Sequence, residues 1–172
     1  MSALGFQEIL IIFFLVLLII GICLIPFIFF LIELQNTLKV VKNENRKMKP
    51  GQVWLLLIPL FSIYWYFEVV GKIADSLQAE FKERNIQVGE EKPGYSFGRV
   101  ICILGVVSFL IFIIPRLLLL ATGPSNLGNI QLSALILFFN FIIGIANLVF
   151  FIMYWVKING YRNKLIEAKR AA

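Results

Sequence analysis

The chain has 172 residues, 60% hydrophobic and 15% charged, with a formal net charge of +6 and a mean hydropathy of +0.89. A soluble domain is about 45–50% apolar and about 25% charged, so this much apolar surface needs lipid to cover it. The excess of cations then points to anionic phospholipid headgroups and not to nucleic acid. The absence of histidine removes the usual general base and the commonest metal ligand. Cys23 and Cys102 lie inside apolar runs, away from the oxidising aqueous compartment a disulfide needs, and are read as reduced and buried. No cofactor is expected.

The first apolar run, 9–32, predicts a membrane-spanning helix. At 1.5 Å per residue it is long enough to cross a hydrocarbon core of about 30 Å, and Pro26 within it should kink it. No Lys or Arg precedes the run and no small-residue cleavage pattern follows it, so it reads as an uncleaved anchor. Beyond Ile32 the spacing of Leu34, Leu38 and Val41 predicts that the same helix leaves the membrane as a basic amphipathic extension. Pro50-Gly51 is the expected stop.

The second run, 53–70, is interrupted by Pro59. It carries Tyr64, Trp65, Tyr66 and Phe67 in its second half, residue types that favour the membrane interface. Val69, Ile73, Leu77 and Phe81 then repeat every four residues, which predicts an amphipathic helix over 70–84 whose apolar stripe needs membrane or protein against it. Residues 85–98 read as an aqueous loop, with Gly89, Pro93 and Gly94 among charges. Spans are expected again at 100–121 and 130–156, joined by a tight turn at 122–128. Tyr154 and Trp155 mark the exit into a basic tail that starts at Lys157.

Fifteen of the sixteen Lys and Arg residues fall in three stretches, 39–49, 72–99 and 157–170. If all four runs crossed the bilayer, the first stretch would lie opposite the other two. If 53–70 dips in and turns back at Pro59, all three share one side. Cations concentrate on the cytoplasmic side of membranes. The expected fold is therefore an all-α integral membrane protein in one domain, with three transmembrane helices and a re-entrant or in-plane helical hairpin. Four transmembrane helices are the alternative. In the three-span arrangement the N-terminus faces outward and the C-terminus is cytoplasmic.

Few residues carry recognisable chemistry. Glu68 and Arg116 are the charges closest to lipid depth, where an ionisable group is a functional candidate unless it pairs or snorkels. Glu68 has Lys72 four residues on, and Arg116 lies near the end of its span. On the last span Ser133, Asn140, Asn147 and Tyr154 recur every seven residues with Gly144 beside them, and Cys102, Gly105 and Ser108 form a strip of small residues on the preceding span. Small and amide side chains at helical spacing let spans approach and bond; the same stripe would serve a subunit contact or a polar path. Lys39, Lys42, Arg46, Lys47 and Lys49 are the expected headgroup ligands. Asp75, Glu80, Glu83, Glu90 and Glu91 are interleaved with cations and read as a solvated face.

The segment from Pro50-Gly51 through Trp54, Pro59, Phe61, Tyr64, Trp65 and Phe67 resembles a pattern in small bacterial multi-pass membrane proteins of unknown function. In those proteins a Trp and a Pro are followed by an aromatic pair and an amphipathic helix. The resemblance covers residues 50–84. It implies a bacterial inner (cytoplasmic) membrane protein, makes 50–84 the distinctive unit, and implies no catalytic residue. Together these features predict a non-enzymatic accessory or scaffolding subunit that contacts anionic phospholipid and either a membrane-protein partner or another copy of itself. A small oligomeric channel or transporter, with a polar path along the last span, is the second reading. A lipid-active enzyme using Glu68, Asp75 or Glu80 is the third.

Overall fold

A computed structural model of the chain describes residues 5–122 and 130–171. Among these residues the fold is all-helical: α1 (Phe6–Val40), a 3-10 helix (Pro50–Leu57), α2 (Phe61–Glu83), α3 (Tyr95–Thr122) and α4 (Ile130–Ala171). Two described segments are long and apolar enough to cross a membrane, Tyr95–Leu117 and Ala134–Arg170, where the sequence pattern predicts three. The described apolar stretch of the first expected span, Gln7–Leu18, rises only about 18 Å. It nevertheless belongs to α1, which runs unbroken for 35 residues through Pro26. The tight turn expected at 122–128 lies, beyond Thr122, outside the described residues, as do the side chains of Cys23 and Ser133.

Large apolar side chains are exposed along α1 up to Ile32, along α3 from Ile103 to Leu120 and along α4 from Leu135 to Val156. The buried core lies toward the other end of these helices. Phe30, Leu31, Leu34 and Leu38 of α1 meet Val69, Ile73, Leu77 and Phe81 of α2, with Tyr154, Ile158, Tyr161 and Leu165 of α4. The four-residue repeat of α2 is therefore covered by protein and not by lipid. Its heptad companions Ser76 and Glu80 are drawn in with it, both fully buried. Glu80 thus corrects the reading of the 75–91 acids as a solvated face.

Three element boundaries differ from expectation, each for its own physical reason. Helix α1 ends at Val40, ten residues short of the expected stop at Pro50-Gly51. The backbone N–H groups of Lys42 and Lys47 donate to Glu80 Oε2 (3.0 Å) and Ser76 Oγ (2.9 Å) on α2, while Arg46 Nη2 donates to the Val41 carbonyl at 2.9 Å. Those bonds stabilise an irregular segment where the amphipathic pattern alone favours helix. In the second run no helix covers 53–70. The 3-10 helix ends at Leu57, Pro59 follows, and Leu60 turns the chain at φ 65°, a left-handed conformation uncommon for a residue with a branched side chain. Helix α2 then joins the second half of this run to the amphipathic stretch in one helix of 23 residues. Finally, the basic tail is not a free tail. Helix α4 continues for 42 residues, about 63 Å, because Ile158, Tyr161 and Leu165 find the core.

The aromatic residues of 50–67 pin this unit in place. Trp54 Nε1 donates to Gln35 Oε1 on α1 (3.1 Å), and Trp65 Nε1 donates to the Gln52 carbonyl (2.9 Å). Phe61 stacks on Trp65 with ring centroids 5.4 Å apart. Both half-buried indoles have a hydrogen-bond partner, as such rings usually do, so the two halves either side of Pro59 are tied to each other and to α1.

Candidate functional site

The residues singled out by sequence separate into three places. Glu68 pairs with Lys72 at 3.0 Å and accepts from Tyr64 Oη at 3.3 Å; it is locally paired, as its spacing predicts. Arg116 Nη1 donates to its own helix at Phe112 O (2.6 Å), with the guanidinium 3.5 Å from the Phe112 ring centroid. Glu68 and Arg116 are therefore each satisfied within one helix. Asn140 Oδ1 accepts from Ser108 Oγ at 2.6 Å, and a Cβ on Gly105 would come 3.9 Å from Asn147 Nδ2. The seven-residue stripe thus faces α3, as the packing reading predicts. Gly144 does not share that contact: a Cβ there meets nothing within 4 Å. Cys102 is buried and free.

The strongest concentration of charge lies where α1, the segment after it, α2 and α4 converge. Glu80, fully buried, is the organising residue. It accepts from Lys42 N–H, from Asn45 Nδ2 (2.8 Å) and from Arg84 Nε (2.7 Å). Burial pushes its pKa up, but the hydrogen bonds from Asn45 and Lys42 N–H and the Arg84 charge outweigh that. The carboxyl is held below its ordinary value, so it stays ionised at neutral pH. Arg84 in turn reaches the Leu165 carbonyl of α4 (3.3 Å). Beside it Lys42 pairs with Glu83, which raises the Lys42 pKa and keeps that side chain cationic.

Above this network lies a cleft of about 690 Å³ lined by Lys39, Lys42, Arg46, Arg84 and Lys169, with no acid in its wall. An adjoining cleft of about 430 Å³ shares Lys39 and Lys169 and adds Arg170. Among the described residues Lys39 and Lys169 have no ion-pair partner, whereas Lys42 and Arg84 are held by Glu83 and Glu80. The cleft therefore has two fixed cations and two uncommitted ones. Arg46 completes it, anchored on the Val41 carbonyl. Of the five headgroup ligands expected from sequence, Lys39, Lys42 and Arg46 line the cleft. Lys47 and Lys49 do not, because the chain turns away to bond Ser76 and Gln52. Arg84 and Lys169 were not foreseen. Their signal was their membership of the other two basic stretches, which say nothing of contact until the fold brings them together.

Three further ion pairs close the same end of the molecule: Arg162 with Glu33 at 2.6 Å, Lys92 with Asp75 at 2.8 Å, and Lys157 with Glu90. Their cations come from the second and third basic stretches. Among the described residues no three His, Cys, Asp or Glu side chains cluster closely enough to hold a metal ion. Comparison with protein-family models, with curated proteins and with solved structures finds no match for the chain.

Proposed function

We propose that the protein is a non-enzymatic accessory subunit of a bacterial inner membrane that holds an anionic phospholipid headgroup in the basic cleft. The observation that carries this reading is the cleft itself: cations from all three basic stretches meet in one acid-free wall. A phosphate there would gain from each neighbouring Lys or Arg about 1 kcal/mol. The acids that an enzyme would need are already engaged. Glu68, Asp75 and Glu80 each have a cationic partner, and Glu80 is out of reach of any substrate.

In this reading α1, α3 and α4 cross the bilayer, and the unit of 3-10 helix and α2 forms the re-entrant or in-plane hairpin broken at Pro59. The ion pairs Lys42–Glu83 and Arg162–Glu33 support it, because they link stretches that four spans would place on opposite sides. The exposed positions Lys47, Glu91 and Lys164 provide a test. In a chain without native cysteines, Lys47→Cys, Glu91→Cys and Lys164→Cys should each react with an impermeant maleimide only from the cytoplasmic side. Reaction of Lys47→Cys from the outside would overturn the arrangement.

The lipid reading is tested separately. Native mass spectrometry of the protein released from phosphatidylglycerol membranes should show a retained anionic lipid. Lys39→Ala with Lys169→Ala should weaken retention by about 2 kcal/mol, or about thirty-fold. Lys47→Ala with Lys49→Ala, outside the cleft, should leave it unchanged. Equal loss in both pairs would mean diffuse attraction and no built site.

A further inference from the structure

The basic cleft is double. Its larger part, about 690 Å³, carries Lys42, Arg46 and Arg84, and its smaller part, about 430 Å³, carries Arg170. Lys39 and Lys169 line both, so they stand where the two parts meet. Neither wall contains an acid, and Glu44 and Glu167, each two residues from a lining cation, are absent from both. Lys42 and Arg84 are neutralised by Glu83 and Glu80. Lys39, Arg46, Lys169 and Arg170 have no ion-pair partner among the described residues. Those four charges are left to be matched from outside the chain.

That count bears on the ligand. A phosphodiester carries one negative charge and would leave most of these cations unmatched. A terminal phosphate carries about −1.5 to −2 and presents three strong acceptor oxygens. A diphosphate joins an inner phosphate of the first kind to an outer one of the second, and so brings more charge in two adjacent lobes. Arginine forks suit phosphate oxygens, and each part of the cleft has one: Arg46, held by its bond to the Val41 carbonyl, and Arg170. Height above the bilayer agrees. Ile32 and Val156 are the last exposed large apolar residues of α1 and α4. Lys39 and Lys169 lie seven and thirteen residues beyond them, about 10 and 20 Å along the helices. The polar layer on one side of a bilayer is about 5–8 Å thick. A second phosphate linked outward from a lipid's first extends toward this height, and a water-borne diphosphate reaches it directly.

Resting on the phosphate reading of this cleft, we propose that it binds a diphosphate, one phosphate in each part, with Lys39 and Lys169 contacting both. The protein in phosphatidylcholine nanodiscs is titrated calorimetrically with inorganic pyrophosphate, orthophosphate and citrate. Diacylglycerol pyrophosphate, phosphatidic acid and phosphatidylglycerol are compared by native mass spectrometry. A diphosphate should bind about ten-fold tighter than its monophosphate counterpart, and citrate, a trivalent anion of different shape, should bind no better than orthophosphate. Preference for free pyrophosphate identifies a water-borne ligand, and preference confined to the lipid pair a membrane-borne one. Arg170→Ala, at an exposed position near the end of α4, should weaken the diphosphate about five-fold and leave the monophosphates unchanged. Absence of any diphosphate preference, citrate binding equal to pyrophosphate, or equal loss of mono- and diphosphate in Arg170→Ala would overturn the proposal. Phosphatidylglycerol retained without a diphosphate preference overturns this proposal and leaves the phospholipid reading standing. Diphosphate preference with no phosphatidylglycerol retained does the reverse.

Discussion

Glu80→Ala is expected to lower the thermal midpoint of the protein in detergent by about 10 °C, corresponding to a loss of about 3–5 kcal/mol. The carboxylate is fully buried and holds three elements at once: α1's end through Lys42 N–H, the following segment through Asn45, and Arg84 of its own helix. Removing it strands the Arg84 guanidinium, whose side chain is only 17% exposed, and leaves the Lys42 N–H without its acceptor. An uncompensated buried charge is the costly outcome, more than the loss of the pair's attraction. Glu80→Gln should fall between Ala and the parent, since an amide oxygen can still accept from Lys42 N–H and Asn45. The three tryptophans, two of them tied by hydrogen bonds to Gln35 and Gln52, give an intrinsic fluorescence readout of unfolding.

The same residue sets a pH dependence. Its folded pKa lies below the ordinary carboxylate value. Its contribution is therefore complete above about pH 4.3, the unperturbed glutamate pKa, and is lost as pH falls through the lowered folded value. Glu90 adds in the same direction. Burial raises its pKa, but Lys157, the Gly94 N–H and Tyr161 together lower it. The parent should lose stability on acidification below that range, and the acid limb of Glu80→Ala should be shallower. A variant with an unchanged midpoint and an unchanged acid limb would show that the network contributes nothing.

Gly98→Ala is the second large effect, expected to cost about 1–3 kcal/mol through overpacking. Here α2 and α3 approach so closely that a Cβ would sit 2.5 and 2.8 Å from the two γ-carbons of Val70 and 3.1 Å from Tyr154 Cε2. Val70 cannot rotate clear, because a β-branched side chain has one strongly preferred rotamer in a helix. Tyr154 is 1% exposed and is backed by Phe30 at a ring-centroid separation of 5.9 Å. The helices must therefore separate. Val70→Ala removes both clashing carbons and should recover part of the loss when combined with Gly98→Ala, giving a coupling the two single variants lack. Gly144→Ala is the control. It sits in the apolar part of α4 with open space around it and should be neutral or slightly stabilising, since Ala is the better helix former.

Much of the architecture was legible because local patterns encode it. Pro59 interrupting an apolar run was enough to place a break, and the structure puts the turn at Leu60 beside it. The seven-residue spacing of Asn140, Asn147 and Tyr154 was enough to place them on one face, and that face meets α3 through Ser108, Gly105 and Gly98. Glu68 with Lys72 four residues on was enough to expect a local pair. The candidate site was only half legible. Lys39, Lys42 and Arg46 stand out as a run of cations, but Lys47 and Lys49 look the same in sequence and point elsewhere. Arg84 and Lys169 lie 45 and 130 residues beyond Lys39 in the chain, and no periodicity relates them.

Composition and the spacing of apolar residues determined that this chain is helical, that its long runs need an apolar environment, and that its cations gather between those runs. These are properties of one helix or one turn at a time, set by the 3.6-residue repeat and by the cost of placing charge in hydrocarbon. Tertiary structure decided which polar groups went inside. Glu80 lies three residues before the exposed Glu83, and it is tolerated inside because the chain after α1 offers it an N–H and an amide, and Arg84 offers a charge. A buried carboxylate is tolerable only when distant groups arrive to satisfy it, and that arrival is a fact about the folded molecule and not about any window of its sequence.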